Sequence, residues 1–203
     1  MGVSLGELVE KRAIELDELS GKILVVDTYN LLYQFLSTIR LRDGALLTDS
    51  KGHVTSHLNG LFSRTSNLMQ RGVRLVFVFD GEPPKLKIEE RQRRKEQKQK
   101  AELQYREAVE MKNLEDMKKF AARTSRLTPE MVLEAEKLVH ALGLPLVKAP
   151  SEGEAQAAYI VRAGDAYAEV SGDYDCLLCL WEFSLASDQH GCVQSFPYVR
   201  FDD

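Results

Sequence analysis

The sequence predicts an α/β fold, a mostly parallel sheet flanked by helices, and three observations predict it. Two short continuous apolar runs, Gly21 to Val26 and Val73 to Phe79, read as strands buried on both faces. Between them lie two segments with helical apolar spacing, the order expected when crossovers join parallel strands. Each run also leads into an aspartate, Asp27 and Asp80, and parallel sheets bind ligands outside the carboxyl ends of their strands.

Composition narrows the class. At 203 residues, 44% apolar and 29% charged, the chain suits one core, or one domain with an appendage. No apolar run approaches the ~18 residues of a membrane span. The start lacks a basic region followed by an apolar stretch and a cleavage site, so the expectation is an intracellular protein with no membrane partner. A net charge of −4 opposes a uniformly basic nucleic-acid binder, so the distribution of charge decides the matter. All three cysteines, Cys176, Cys179 and Cys192, fall in the last 28 residues, which leaves no disulfide framework for the main domain. Together with His190 they formally resemble a zinc set, but apolar surroundings without turn residues argue against one.

Taken in order, the first strand is followed by a helix over Thr28 to Ile39, with apolar residues at 31, 32, 35, 36 and 39. It carries Tyr33 and ends near Arg40. Leu41 to Ser56 is loop-like. A second helix, Ser56 to Gln70, has Leu58, Leu61, Phe62, Thr65, Leu68 and Met69 on one side and Arg64 on its polar face, and Gly72 ends it. After the second strand, Asp80-Gly81 is a good turn dipeptide.

Pro83 to Arg126 differs in kind, rich in Lys, Arg, Gln and Glu and unable to pack a core. From Lys85 to Arg106 nine basic residues face four acidic ones, a local excess of +5. Lys87, Arg91, Arg94 and Lys98, at steps of four, three and four, form a cationic stripe along one helical face. A coiled coil is disfavoured by the absence of apolar heptads, and the charge excess favours a surface that tracks phosphates.

Thr128-Pro129 restarts order as an N-cap followed by proline in the first helical position, and Gly143 closes that helix. His140 reads as a partly exposed helix residue rather than a ligand. Leu144 to Val147 makes a third strand. Pro150 stops it, Ser151 is the expected N-cap, and a helix runs from Glu152 to about Ala163. Ala166 to Ser171 makes a fourth strand, followed by Asp173-Tyr174-Asp175, whose two aspartates face the same way in extended chain.

The acids Asp27, Asp80, Glu152, Glu154, Asp173 and Asp175 thus all stand at strand tips or at the start of the adjacent helix. Each alone has an ordinary explanation as a turn residue or a helix-end charge. Brought together by a sheet they would repel and raise each other's pKa values, so they call for a counter-charge. Oxygen donors without His or Cys suit Mg²⁺ or Mn²⁺, and two such ions ~3.5 to 4 Å apart activate water and stabilise a leaving oxygen in phosphodiester cleavage. A cationic stripe beside an acidic pocket is what a nuclease needs. A topoisomerase-primase-like domain also uses a Glu and an Asp-x-Asp, but the basic insertion and the paired glutamates argue against it.

Four segments carry a resemblance: Val-Asp-Thr-Tyr-Asn-Leu-Leu-Tyr-Gln-Phe-Leu, Thr-Ser-His-Leu-Asn-Gly-Leu-Phe-Ser-Arg-Thr, Val-Phe-Asp-Gly-Glu-Pro-Pro-Lys-Leu-Lys and Ala-Pro-Ser-Glu-Gly-Glu-Ala-Gln-Ala-Ala-Tyr. In order, from Gly2 to about Leu178, the chain resembles the archaeal and eukaryotic flap endonucleases. The resemblance implies a PIN/5′-nuclease-like catalytic domain over 1–178, with a helical arch at about 85–126 that passes a 5′ flap. It implies a Mg²⁺-dependent endonuclease and 5′-3′ exonuclease acting on branched DNA in replication and repair, with two ions held by the six acids and Mn²⁺ able to substitute. Lys87 and Arg94 match the basic pair that steers the scissile phosphate, Tyr33 a residue on which a terminal base stacks, and Arg64 a backbone contact. Arg40, Arg91 and Lys98 complete the expected DNA-contacting set.

The sequence also departs from the family. Gly172 stands where the family usually has Gln, and after Leu178 the expected Phe-Gly gives way to Cys-Leu-Trp-Glu-Phe-Ser-Leu-Ala-Ser. A seventh metal-site aspartate, a helix-turn-helix that grips duplex and the peptide that docks on the sliding clamp are not found. The only tryptophan and all cysteines lie beyond residue 175, so 179–203 reads as an unrelated tail arising from a frameshift or similar coding error. On that reading the strands completing the sheet are lost, and the alternative function is a DNA-binding fragment with weak or no cleavage.

Overall fold

The computed structural model describes residues 15–82, 84, 93, 96, 126–171 and 198–199. Its described residues fall into two compact units. One comprises 15–30, 65–82, 143–171 and 198–199; the other comprises 31–64, 84, 93, 96 and 126–142.

The first unit holds the sheet. Five strands, β1 (Ile23–Asp27), β2 (Arg74–Phe79), β3 (Leu146–Lys148), β4 (Ala168–Val170) and β5 (Tyr198–Val199), lie in the order β3-β2-β1-β4-β5, and every pairing is parallel. The chain builds outward from β1 through β2 to β3, then crosses back to β4 on the other side. The order therefore reverses between β1 and β4, the place where doubly wound sheets bind ligands. β1 and β2 are rich in β-branched and aromatic residues, and most of their side chains are buried, as suits strands covered on both faces. The register sets Asp27 opposite Val78 and Val25 opposite both Val76 and Glu169.

A helix, α4 (Gly153–Arg162), makes the crossover between β3 and β4. Its small buried residues Ala157 and Ala158, with Val161, pack with Val25, Val78, Ala149 and Ala166 in one apolar cluster. Alanines at that surface keep helix and sheet close and cost little side-chain entropy.

Helices α1 (Thr28–Thr38) and α2 (Ser56–Gln70) follow β1, and α3 (Pro129–Ala141) precedes β3. In the second unit, Gly60 of α2 lies so close to Phe35 and Ile39 that an added Cβ would overlap both side chains. Thr128 caps α3 as expected, its hydroxyl accepting from Met131 N at 3.3 Å, with Pro129 at the first helical position. Gly143 beyond its end has φ +71, the left-handed conformation glycine adopts without strain. His57 of α2 is fully buried, with Nε2 3.3 Å from Glu134 Oε2 of α3.

One expectation needs adjusting. Ser151 does not cap α4: the N-cap position is Glu152, which makes no side-chain cap bond, and the helix is capped by the carboxylate that follows β2. Within the stretch 179–203, Tyr198–Val199 pairs with β4 at the edge of the sheet. Two residues are too short a run to show periodicity in sequence.

Candidate active site

Four of the six expected acids lie in the described part of the first unit, and the backbone fixes where they stand. Asp27 is the last residue of β1, and its Oδ1 accepts from Asn30 N at 3.2 Å, so it caps the start of α1. Asp80 follows β2 directly, and its Oδ1 accepts from Gly153 N at 2.8 Å. The cap of α4 is therefore a carboxylate from the neighbouring strand, placed where the helix dipole favours negative charge.

That arrangement depends on two glycines. A Cβ on Gly153 would come within 2.7 Å of Asp80 Oδ1. A Cβ on Gly81 would overlap the Ala149 carbonyl oxygen and reach 2.9 Å from Pro150 C. Backbone bonds lace the two segments together: Ala149 N donates to Phe79 O at 2.8 Å and Gly81 N to Ser151 O at 2.6 Å. The tip of β2 and the entry to α4 are thus held as one frame, which carries Asp80, Glu152 and Glu154. Glu154 sits in the first turn of α4.

The structure adds an acid that sequence patterns do not single out. Glu169 lies in the middle of β4, fully buried, and neither carboxylate oxygen meets a hydrogen-bond partner. Its carboxyl is pushed up to about 9, first by burial, then by the charges of Asp27 and Glu154. The repulsion expected among clustered acids is therefore present, and it converges on a residue expected only as part of a strand. A glutamate between alanine and valine in a short apolar run is the signal that could have found it.

Asp173 and Asp175 lie outside the described residues, as do Lys87, Arg91, Arg94 and Lys98 of the cationic stripe. Of the expected arch, Arg93, Glu96 and Arg126 are described, all exposed, the first two in helical conformation. In the second unit Tyr33 is exposed on α1 and Arg64 half-buried on α2. Arg40 serves the fold itself. Its Nε donates to Leu36 O at 2.9 Å and its Nη1 to Gly44 O at 2.7 Å, closing the end of α1 against the loop that follows.

Oxygen-only donors and a buried carboxylate lacking any donor suit a hard divalent cation. Among the described residues no group of three or more His, Cys, Asp or Glu is close enough to hold one.

Comparison with known proteins adds to this geometry. The XPG N-terminal domain family matches residues 1–101, and the XPG I-region matches residues 143–179. The chain is 51% identical over 178 residues to flap endonuclease 1 of Pyrococcus furiosus and 54% identical over 180 residues to that of Thermofilum pendens. Each alignment covers 88% of this chain and 52% of the relative, so the chain spans about half the length of the curated relatives it matches. Among solved structures, flap endonuclease-1 from Methanococcus jannaschii matches with a TM-score of 0.65 at 48% identity, over 87% of this chain and 56% of that one. The catalytic core of Rad2 in complex with DNA substrate matches with a TM-score of 0.57 at 29% identity, over 82% and 42%.

Proposed function

The chain belongs to the XPG family of flap endonucleases, and from that premise we propose that it carries the catalytic part of a Mg²⁺-dependent, structure-specific 5′-flap endonuclease. The observation that carries the reading is the laced frame at the tip of β2 and the entry to α4. It carries Asp80, Glu152 and Glu154, with Asp27 at the tip of the paired strand β1, in a chain half identical to flap endonucleases.

In this reading Asp27, Asp80, Glu152 and Glu154, with Asp173 and Asp175, hold two Mg²⁺ ions, for which Mn²⁺ substitutes. When bound, the ions supply Lewis acidity and lower the pKa of water at neutral pH. The protein's own residues do the rest. Asp80 and Asp27 keep fixed orientations because each accepts from a backbone N–H. Lys87 and Arg94 neutralise the scissile phosphate, while Arg91, Lys98, Arg64 and Arg40 hold the DNA backbone. Tyr33 offers its ring to a terminal base. The substrate is branched DNA with a 5′ flap, in replication and repair, which sets the work inside the cell. A sliding clamp is the protein partner the family implies. Among the described residues no helix is long and apolar enough to cross a membrane.

The test is cleavage of a labelled 5′-flap duplex by this chain with and without Mg²⁺. Asp80→Ala is expected to abolish cleavage and retain DNA binding, and undiminished cleavage by that variant rejects the assignment. Flap binding by the parent without cleavage would support the alternative of a binding fragment.

A further inference from the structure

We propose that Lys148, at the tip of β3, is a phosphate contact for the DNA substrate, a cation beside the acidic edge that holds a backbone phosphate as the strand reaches the acids. The inference rests on the flap-endonuclease reading above and adds a residue outside the expected DNA-contacting set.

The distribution of charge in the first unit supplies the first support. Its described residues include five basic ones, Lys22, Arg71, Arg74, Lys148 and Arg162. Four stand at the amino end of the sheet: Lys22 precedes β1, Arg71 and Arg74 lie at the start of β2, and Arg162 ends α4, which runs back from the tip of β3 toward the start of β4. Three of the four serve the fold. Arg71 Nη1 donates to Asp17 Oδ1 at 3.0 Å, Arg74 Nη2 donates to Gly21 O at 2.8 Å, and Lys22 Nζ lies 4.8 Å from the centre of the Tyr167 ring. Among the described residues of this unit, Lys148 is therefore the one basic residue at the carboxyl edge, where Asp27, Asp80, Glu152 and Glu154 stand.

Register supplies the second. Lys148 pairs with Phe79, the residue before Asp80, and Ala149 N donates to Phe79 O at 2.8 Å, so the frame that fixes Asp80 fixes the Lys148 backbone too. Paired strands lie about 4.8 Å apart, which sets the two backbones well within one Debye length, about 10 Å at 0.1 M salt. Partners in parallel strands share a face, so Lys148 belongs with Phe79 to the face opposite Val78 and Val147, the two that pack with α4. The acids repel a phosphate backbone; an exposed lysine on the other face of the same tip offsets that repulsion where the strand passes.

The opposing explanation is a lysine that only guards an edge strand against pairing with another chain, since β3 ends the sheet. Affinity of the full chain for a labelled 5′-flap duplex separates the two, measured by fluorescence anisotropy in a chelator from about 50 mM to about 200 mM salt. Parent, Lys148→Gln and Lys148→Arg are compared, with circular dichroism as the check on folding. Each phosphate contact adds about 0.9 to the slope of log affinity against log salt, so the parent's advantage over Lys148→Gln should shrink about threefold across that range. Lys148→Arg keeps the charge and is expected to keep the parent slope. A slope in Lys148→Gln within about 0.3 of the parent's overturns the proposal, as does a slope in Lys148→Arg as low as that of Lys148→Gln. If Lys148→Gln does not fold, Lys148→Met, which keeps the length of the stem, is held to the same thresholds. A parent that binds no flap duplex overturns both this inference and the reading beneath it. A parent that cleaves with Mg²⁺ while Lys148→Gln keeps its slope overturns this inference alone, and a lowered slope without cleavage by the parent upholds this inference and overturns the catalytic reading.

Discussion

Replacing Glu169 by glutamine should flatten the dependence of stability on pH. The carboxyl has an ordinary value of 4.5 and is pushed up to about 9 in the folded protein, chiefly by burial. Between those values the unfolded chain has released the proton while the folded protein still holds it. Stability therefore falls as pH rises through that window; it is unaffected by this group below the lower value, and the loss is complete above the upper one. Each pH unit costs about 1.4 kcal/mol, so the loss is about 3 kcal/mol at neutral pH, a large share of a typical domain's stability. Glutamine cannot titrate. Its own unsatisfied amide shifts the whole curve by a constant and leaves the slope alone. The assay is urea unfolding of parent and Glu169→Gln in a chelator, from about pH 5 to about pH 8. The difference in unfolding free energy should grow by about 1.4 kcal/mol per pH unit in favour of the variant. Parallel curves would refute the buried, unpaired state of Glu169 from which the slope is worked.

Three further outcomes follow from the same geometry. Asp80→Ala removes the acceptor for Gly153 N at the start of α4, so besides losing cleavage it should lower unfolding free energy by about 1 kcal/mol, the usual worth of a helix cap; urea midpoints measure it. Gly81→Ala drives a methyl into the Ala149 carbonyl and toward Pro150 C at 2.9 Å, both backbone atoms, and should cost about 1 to 3 kcal/mol, visible as a lower melting temperature. His57 is fully buried, and burial holds its imidazole below the ordinary 6.5 against the opposing pull of Glu134. As pH falls through 6.5 the unfolded chain takes up the proton first, so the parent loses stability there relative to His57→Gln, which thermal melts from about pH 7 to about pH 5 compare directly.

Much of the sheet is legible in the sequence because its signals are local. Continuous apolar runs mark β1 and β2 to within two residues at each end, and Asp27 and Asp80 fall at the strand tips as expected. Thr128-Pro129 and Gly143 bound α3 for reasons contained in those residues. The cap of α4 is not legible, and Ser151 stands in its place, because the true acceptor, Asp80, is 73 residues away and reaches Gly153 only once β2 has paired. Glu169 is hidden because burial is decided by the helix laid over a strand, and a charged residue in a three-residue strand reads as an outward-facing one. Arg40 carries a charge suited to DNA, while its part in closing α1 depends on where the Gly44 carbonyl turns.

The frame that joins Phe79, Gly81, Ala149 and Ser151 has a consequence for synthesis. A chain emerging from the ribosome makes β1 and β2 early, but the segment that locks Asp80 and brings Glu154 arrives only after α3 and β3, and Glu169 later still. Asp80 thus gains its bond to Gly153 N, and the acids of α4 join those of β1 and β2, only once that later segment is made.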